Sequence, residues 1–387
     1  MLDGQAKLQL WIGHESPELA KADVMNALSS VEVSVQDAGS SGFQLLFTLG
    51  HRSRLQTLFV LENNSPFLFV RVVVAVLVRN QVQVLIDGVV TNVQVTPGQG
   101  ASAQLVVTGE DLTFLMGLIK RTGEQHPTEK VPTRVRQVLQ RGDYTRFGMT
   151  NEVIENDLPE YTPDQNSDIP VQEGTDLEYV RSLAQKFGQV FYLFYGSDPL
   201  KSKAYWGPIK RQGPVQPVLS VNMGPHTNVE NLNFRFDLQK NRAVEVNAPS
   251  DRSTRPAALS LSDPPDSRDA LGKYRPKLIP TSESRGGAIV PTSSAPLSFS
   301  QTLAKRAAQA QASENAEALD GSGSLNVLHY GHVLQARRLV AVRGAGTIFD
   351  GTYYVKSVTH SIKRGEYKQN FQLSRNAFAT DTERVAV

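Results

Sequence analysis

The chain has no cysteine among its 387 residues. That excludes a disulfide framework, thiolate metal sites and a thiol nucleophile, and it fits synthesis in a reducing compartment. Long apolar runs are also lacking. The most apolar window, 66–78, carries Arg71 within it and falls short of the roughly 20 residues a membrane-spanning helix needs. No charge of one sign dominates: the formal net charge is +2, without the concentrated basic face that nucleic acid demands. Neither nucleic-acid binding nor direct membrane insertion is expected. The opening MLDGQAKLQLWIG shows no basic segment followed by an apolar core, so no signal peptide is expected. Apolar residues at 40% and charged residues at 20% supply enough material for two or three domains with real cores.

What is present is mostly strand-forming sequence, clearest in FDGTYYVKSVTHSIKRGEYKQNFQLSR at 349–375. Asp350-Gly351 is a turn dipeptide, because glycine tolerates the positive φ that tight turns require. Tyr353, Tyr354, Val355 and Val358 follow, around His360, and a second turn is signalled at Gly365. In the closing run Tyr367, Phe371, Leu373 and the stem of Arg375 share one parity and polar residues share the other. This is the pattern of a half-buried antiparallel edge strand. Tyr353 and Val355 change faces relative to Val358 and Ile362, which predicts a bulge near Lys356-Ser357.

The chain order suggests a mixed β fold with an α+β middle. A helix over 18–28 opening at Ser16-Pro17, strands at 31–36 and 42–50, and a dense β block from 67 to 108 form a first β-barrel or sandwich, 1–110. In that block Asp87-Gly88 and Pro97-Gly98 read as turns. Leu112, Leu115, Met116 and Ile119 then lie on one helical stripe. A second helix begins at Pro132. The segment 156–172 reads as a loop, and Thr175 with Glu178 forms a capping box. With strands at 189–195 and 203–207 these make a middle domain, 111–215. A second β unit comprises 216–248 plus 326–378. Between its parts lies 249–325, a Pro/Ser-rich excursion and an Ala-rich helix over 299–319, with 379–387 as a tail. The stretch 249–296 holds eight prolines and nine serines but a single aromatic, Tyr274, too little apolar material to offset backbone ordering.

The Asp-Gly pair at 87–88 begins a strand–turn–strand pattern that recurs from 350–351, 263 positions later. The repeat fits one β-barrel duplicated; it also fits the general frequency of Asp-Gly in hairpins.

GTYYVKSVTHSIKRGEYKQNFQLSRN, preceded by QARRLVAVRGAG, resembles the C-terminal barrel signature of contractile baseplate hub proteins: the phage late control protein D family and the hub part of VgrG-type proteins. ASAQLVVTGEDLTFLMGLIKRT is similar to that family's strand-to-helix exit from its first barrel. VQEGTDLEYVRSLAQKFGQVFYL is similar to its middle helix, and KAYWGP fits the versions in phage-like injection systems. The resemblance implies two tube-like antiparallel β-barrel domains per chain, linked by a helix-containing region. It implies a homotrimer that adapts a hexameric inner tube to a trimeric spike, with wedge components around it. Such a protein is assembled in the bacterial cytoplasm into a phage tail or an injection particle, and needs no cofactor. No fused spike follows the hairpin here, so the spike is expected to be a separate polypeptide. The excursion at 249–296 departs from the signature, and an outer position against wedge or sheath-proximal components is expected for it.

Other constellations are weaker. His329 and His332 have a metal-compatible spacing but lie in a loop entering a strand. His360 reads as a packed ring. Gly344 and Gly346 lack the third glycine of a dinucleotide loop. Glu155, Asp157 and Glu160 suggest paired carboxylates, yet sit in the predicted loop. Ser322 and Ser324 lie in an apparent linker. Arg337, Arg338 and Arg343 read either as lumen or interface groups or as ordinary exposed strand residues. A structural, non-enzymatic role is expected; the rival readings are a peptidoglycan-hydrolase accessory of the same baseplate and a carbohydrate-binding attachment module.

Overall fold

The structure, a computed structural model, describes residues 6–14, 16–50, 55–59, 61–62, 65–66, 69–97, 102–155, 169–248, 257–261, 270–279 and 297–379. The first part carries β1 (Ala6–Gly13), β2 (Glu18–Leu19), α1 (Ala22–Ala27), β3 (Leu28–Gln36), β4 (Gly42–Gly50), α2 (Leu55–Leu58), β5 (Leu61–Glu62), β6 (Ser65–Pro66), β7 (Arg71–Val78), β8 (Gln81–Pro97) and β9 (Ser102–Asp111). The helix expected over 18–28 is shortened to α1, because Glu18 and Leu19 pair with β1 first.

The middle part holds α3 (Thr113–Met116), α4 (Val131–Leu139), α5 (Gly142–Thr145), β10 (Met149–Val153), α6 (Asp176–Lys186), β11 (Val190–Tyr195) and β12 (Ser202–Gly207). α3 is a single turn rather than a longer helix; it closes at Gly117 and leaves Leu118 and Ile119 exposed. The capping box forms as read: the Glu178 amide donates to Thr175 Oγ1 at 3.2 Å, and the Thr175 amide donates to Glu178 at 2.8 Å. Residues 156–168 of the loop read there, and so Asp157 and Glu160, lie outside the described residues.

The last part carries β13 (Val215–Ser220), β14 (Asn231–Phe236), β15 (Val244–Ala248), β16 (Ala257–Leu261), α7 (Leu297–Asn315), β17 (Leu319–Asn326), α8 (Val327–Tyr330), β18 (Leu339–Arg343), β19 (Gly351–Lys363) and β20 (Glu366–Arg375). Most of the Pro/Ser-rich stretch (249–256, 262–269 and 280–296) and the tail from 380 lie outside the described residues. Its described pieces are held: β15 pairs with β16, and Leu278 packs with Val244 and Ala308, Ala312 and Ala316 beside α7.

Thirteen strands form one sheet, ordered β14-β17-β20-β19-β3-β4-β9-β8-β7-β1-β2, with β18 joining β19 to β13. Two separate closed barrels are not what the pairing gives. Among the described residues no ladder closes into a ring, and the two halves merge where β19 pairs with β3 from Ser357↔Gln36 to Lys363↔Ser30. β20 is likewise not an edge strand, since β17 and β19 flank it. Its alternation reports burial of one face, which interior strands of a one-sided sheet share.

The halves repeat each other. Neighbours run β1-β7-β8-β9-β4-β3 in the first and β13-β18-β19-β20-β17-β14 in the second. Ranked by chain order within each half, both read first, fourth, fifth, sixth, third, second. They differ at the outermost pair, where β1 is antiparallel to β7 but β13 is parallel to β18. Each half also carries a register shift at the matching place. β8 slips against β9 between Val90 and Asn92, and β19 slips against β20 between Val355 and Ser357, the bulge the sequence predicts there. Superposing these bulges places Thr91 on Lys356, 265 positions apart. The Asp-Gly match at 263 is therefore two residues out of register. Asp87-Gly88 is not a turn at all but lies within β8, where Gly88 lets β9 approach; a Cβ there would meet Glu110 O at 2.1 Å.

LDGSGSLN, read as helix end and linker, is instead β17, between β14 and β20. Its glycines make room for neighbouring aromatic rings. A Cβ on Gly323 would lie 2.5 Å from Asn231 O and 2.8 Å from the Phe371 ring. Gly323→Val is expected to lower stability by roughly 1–3 kcal/mol through overpacking, measured as a shifted urea midpoint.

Candidate assembly surface

The hairpin that dominates the sequence is core. Tyr353, Tyr354, Val355, Val358, Tyr367, Phe371 and Leu373 are all buried. Gly365 turns β19 into β20 at φ +75°, and Gly351 starts β19 at φ +136°. A side chain on Gly351 would collide with the buried guanidinium of Arg375, which donates to the carbonyls of Leu271 (2.7 Å), Asp350 (3.0 Å) and Ala379. Asp350 itself accepts from the Ala345 amide at 2.7 Å. His360 Nδ1 lies 2.8 Å from the Tyr367 hydroxyl and 3.3 Å from the Gln369 amide nitrogen. Burial pushes its imidazole down to about 3, so the ring is neutral. Gln369 in turn clasps Leu334 through both backbone groups at 3.0 and 2.8 Å.

The three arginines set apart in sequence have different surroundings. Arg337 is buried: it donates to Gln36 O at 3.0 Å and 2.5 Å and to Leu193 O, and it stacks over Tyr192 at 4.2 Å. It thus ties β3, β11 and the entry to β18 together instead of facing an open space. Arg338 is half-buried over Phe194, at 5.4 Å, and Arg343 is exposed.

Of the buried polar centres that escaped the sequence reading, two hold the middle part. Arg71 makes a bidentate pair with Asp87 at 2.8 and 2.6 Å and donates to Phe147 O at 2.7 Å and Leu200 O at 3.2 Å. This pins the sheet to the middle part. Arg71 was legible as the lone charge in the most apolar window. Asp176, fully buried in the first turn of α6, accepts from Arg141 at 2.9 and 3.0 Å, Tyr144 at 2.6 Å and Gln172 at 2.7 Å. Nothing in its local sequence marks it apart from the capping box.

Chemistry has little to work with. Among the described residues, no group of three or more His, Asp or Glu is placed to hold a metal ion. His329 sits on the one-turn α8 and His332 follows it in a loop, while Glu155 pairs with Arg136. Ser322 and Ser324 belong to β17. A polar cleft of about 470 Å³ runs beside α7, lined by charges of both signs, including Lys240, Arg242, Glu314 and Lys356.

What the fold does expose is strand edge. Among the described residues β8 beyond its bulge pairs only with β9, and Asn92, Gln94, Val95, Thr96 and Pro97 are exposed there, Val95 at 42%. At the other end β14 pairs only with β17 among the described residues; Asn231, Asn233 and Arg235 are exposed and Leu232, Phe234 and Phe236 half-buried. Open edges carrying apolar side chains are templates for another strand.

Two outcomes follow from the buried groups. Asp87→Asn removes one partner of the Arg71 pair and should destabilise the fold by about 3–5 kcal/mol in chemical denaturation. For His360, the unfolded chain takes up a proton near pH 6.5 that the folded chain refuses until about 3. Its stabilisation is therefore complete above pH 6.5 and is lost as pH falls through that window. Between pH 7 and pH 5 the wild type should lose about 2 kcal/mol more than His360→Gln, read from denaturation midpoints at the two pH values.

No known family model matches the sequence, and no curated protein matches it. Solved structures do. A tail protein from Neisseria meningitidis superposes with a TM-score of 0.63 at 13% identity, over 96% of this chain and 97% of that one. The 43 kDa tail protein of prophage MuSo2 from Shewanella oneidensis gives 0.60 at 13% identity, over 96% and 99%. An Escherichia coli type VI secretion component, described as similar to the T4 bacteriophage tail proteins gp27 and gp5, gives 0.55 at 11% identity, over 92% and 76%. The fold, nearly end to end, is that of phage tail proteins and of their type VI secretion counterparts.

Proposed function

We propose that this chain is the structural hub of a contractile baseplate, in a phage tail or an injection particle. Three copies form a ring that accepts a hexameric inner tube on one side and a separate trimeric spike on the other. The observation that carries this reading is the doubled six-strand unit inside a tail-protein fold. Three chains with two like units each present six quasi-equivalent positions, which a threefold protein needs to meet a sixfold tube. Each half of the sheet plays the part of one tube-like domain. The hub resembles the late control protein D family and the hub part of VgrG-type proteins in this arrangement.

The face of the sheet opposite the core suits a passage. It presents Asn92, Gln94 and Thr96 from β8, Ser34 from β3, Thr359 and Ser361 from β19, and Asn370 and Gln372 from β20, with Glu32, Lys363 and Lys368 as charges among them. Function is mechanical: interfaces between subunits, tube and spike bear axial load during contraction, and no catalysis is required. The α7 and β15–β16 region faces outward toward wedge components. Assembly takes place in the bacterial cytoplasm. No helix among the described residues is long and apolar enough to cross a membrane.

Light scattering of the purified chain should give three times its 42.5 kDa mass. Electron micrographs should show threefold rings with an axial opening. A monomer that digests cell wall, or one that binds glycans, would instead establish one of the rival readings.

A further inference from the structure

The seam between the halves contains a template for a second seam. β19 changes partners at its bulge: before it the strand pairs with β18, and after it Ser357 to Lys363 pair with β3. β8 is built the same way, pairing with β7 before its bulge, but beyond it the corresponding edge is open among the described residues. The counterpart of β3 in the other half is β14. Both occupy the sixth place in the strand order, and among the described residues β14 is likewise open on its outer side. Among the described residues the outer side of β14 and the arm of β8 are thus two open edges whose equivalents already pair with each other inside the chain.

We infer that the arm 92–97 of β8 in one copy pairs antiparallel with β14 of a second copy, in the register of the β19–β3 seam. This rests on the hub reading and specifies the contact between its subunits. The register transfers residue by residue. The bulge alignment places Asn92 on Ser357, so Val95 corresponds to His360 and Gln94 to Thr359. The ladders from β9 to β4 to β3, and from β20 to β17 to β14, place Val33 on Phe234 and Ser34 on Arg235. In the internal seam Val358, His360 and Ile362 face Val35, Val33 and Val31. In the new one Val93, Val95 and Pro97 therefore face Phe236, Phe234 and Leu232. On the opposite face Gln94 meets Arg235.

Burial supports the assignment independently of topology. In the internal seam Val358, His360, Ile362, Val31 and Val33 are all buried, and Val35 is half-buried. At the open edges the corresponding six apolar residues are without exception half-buried or exposed. The second copy supplies both the missing main-chain partners and the apolar cover. The contact joins unlike edges, so it propagates head to tail and closes only as a ring. Eight strands per chain, from β14 through β17, β20, β19, β3, β4 and β9 to β8, then run without interruption around it.

The absence of cysteine makes the test direct. Directly opposed residues of an antiparallel pair lie within disulfide reach. Gln94→Cys combined with Arg235→Cys should give, on oxidation, covalent species on a denaturing gel that end at three chains. Ser34→Cys combined with Thr359→Cys, the same register across the internal seam, should give an intrachain disulfide with no gain in mass. Val95→Lys, at an exposed position, should abolish the trimer while leaving the melting temperature of the monomer within a few degrees. A trimer in solution that forms no Gln94–Arg235 crosslink, or that survives Val95→Lys, overturns this seam and leaves the hub reading intact. A monomer that forms no crosslink overturns both, and a ladder extending past three chains overturns the closed ring.

Discussion

The main-chain ladder between β19 and β3 is the constraint around which the molecule is arranged. Every strand of a sheet has two sets of amide and carbonyl groups to satisfy, and strands at the ends satisfy only one. By joining the third strand of one half to the sixth of the other, this ladder turns two units into a single sheet and satisfies the outer side of β3 and the post-bulge side of β19 together. The side chains reinforce it from both faces. Val31, Val33, Val358 and Ile362 close the core side, and Ser34 meets Thr359 on the polar side at 3.4 Å. Arg337 locks its end, since the Gln36 carbonyl at the last pair of β3 is among its acceptors.

The large insertions respect that ladder. The middle part enters after β9, the last strand of the first half, and the α7 region enters between β14 and β17. Neither interrupts a strand. The middle part is held to the sheet by buried polar contacts more than by shared strands, with Arg71 reaching the Phe147 and Leu200 carbonyls and Tyr195 reaching Asp87 O at 3.4 Å. Such contacts fix orientation, because a buried guanidinium tolerates little displacement from its acceptors.

Much of this was legible in the sequence, and the omissions have physical reasons. The capping box, the β19 bulge and two of the middle part's three strands, β11 and β12, follow from local rules that tertiary context left standing, whereas β10 was not read. β17 was hidden because its two glycines, set among four polar residues, satisfy a space requirement set by Phe234, Phe371 and Leu373 across the sheet, which no local pattern records. Asp87-Gly88 carried the chemistry of a turn but served a buried ion pair and a close strand approach. The duplication was visible, though two residues off, since dipeptides drift while bulges keep their place in a ladder. Closure was misjudged for a simpler reason: alternation reveals which face of a strand is covered, and is silent about who stands beside it.

The paired bulges at Thr91 and Lys356 have a consequence for how the sheet is shaped. A bulge bends and twists its strand at the point where that strand exchanges one neighbour for another. The curvature of the wall is therefore set by backbone geometry at a few fixed positions. The polar side chains on the open face of the sheet play no part in setting it. Curvature and surface chemistry can then vary separately, so the polar face can change its side chains without rebuilding the sheet beneath them.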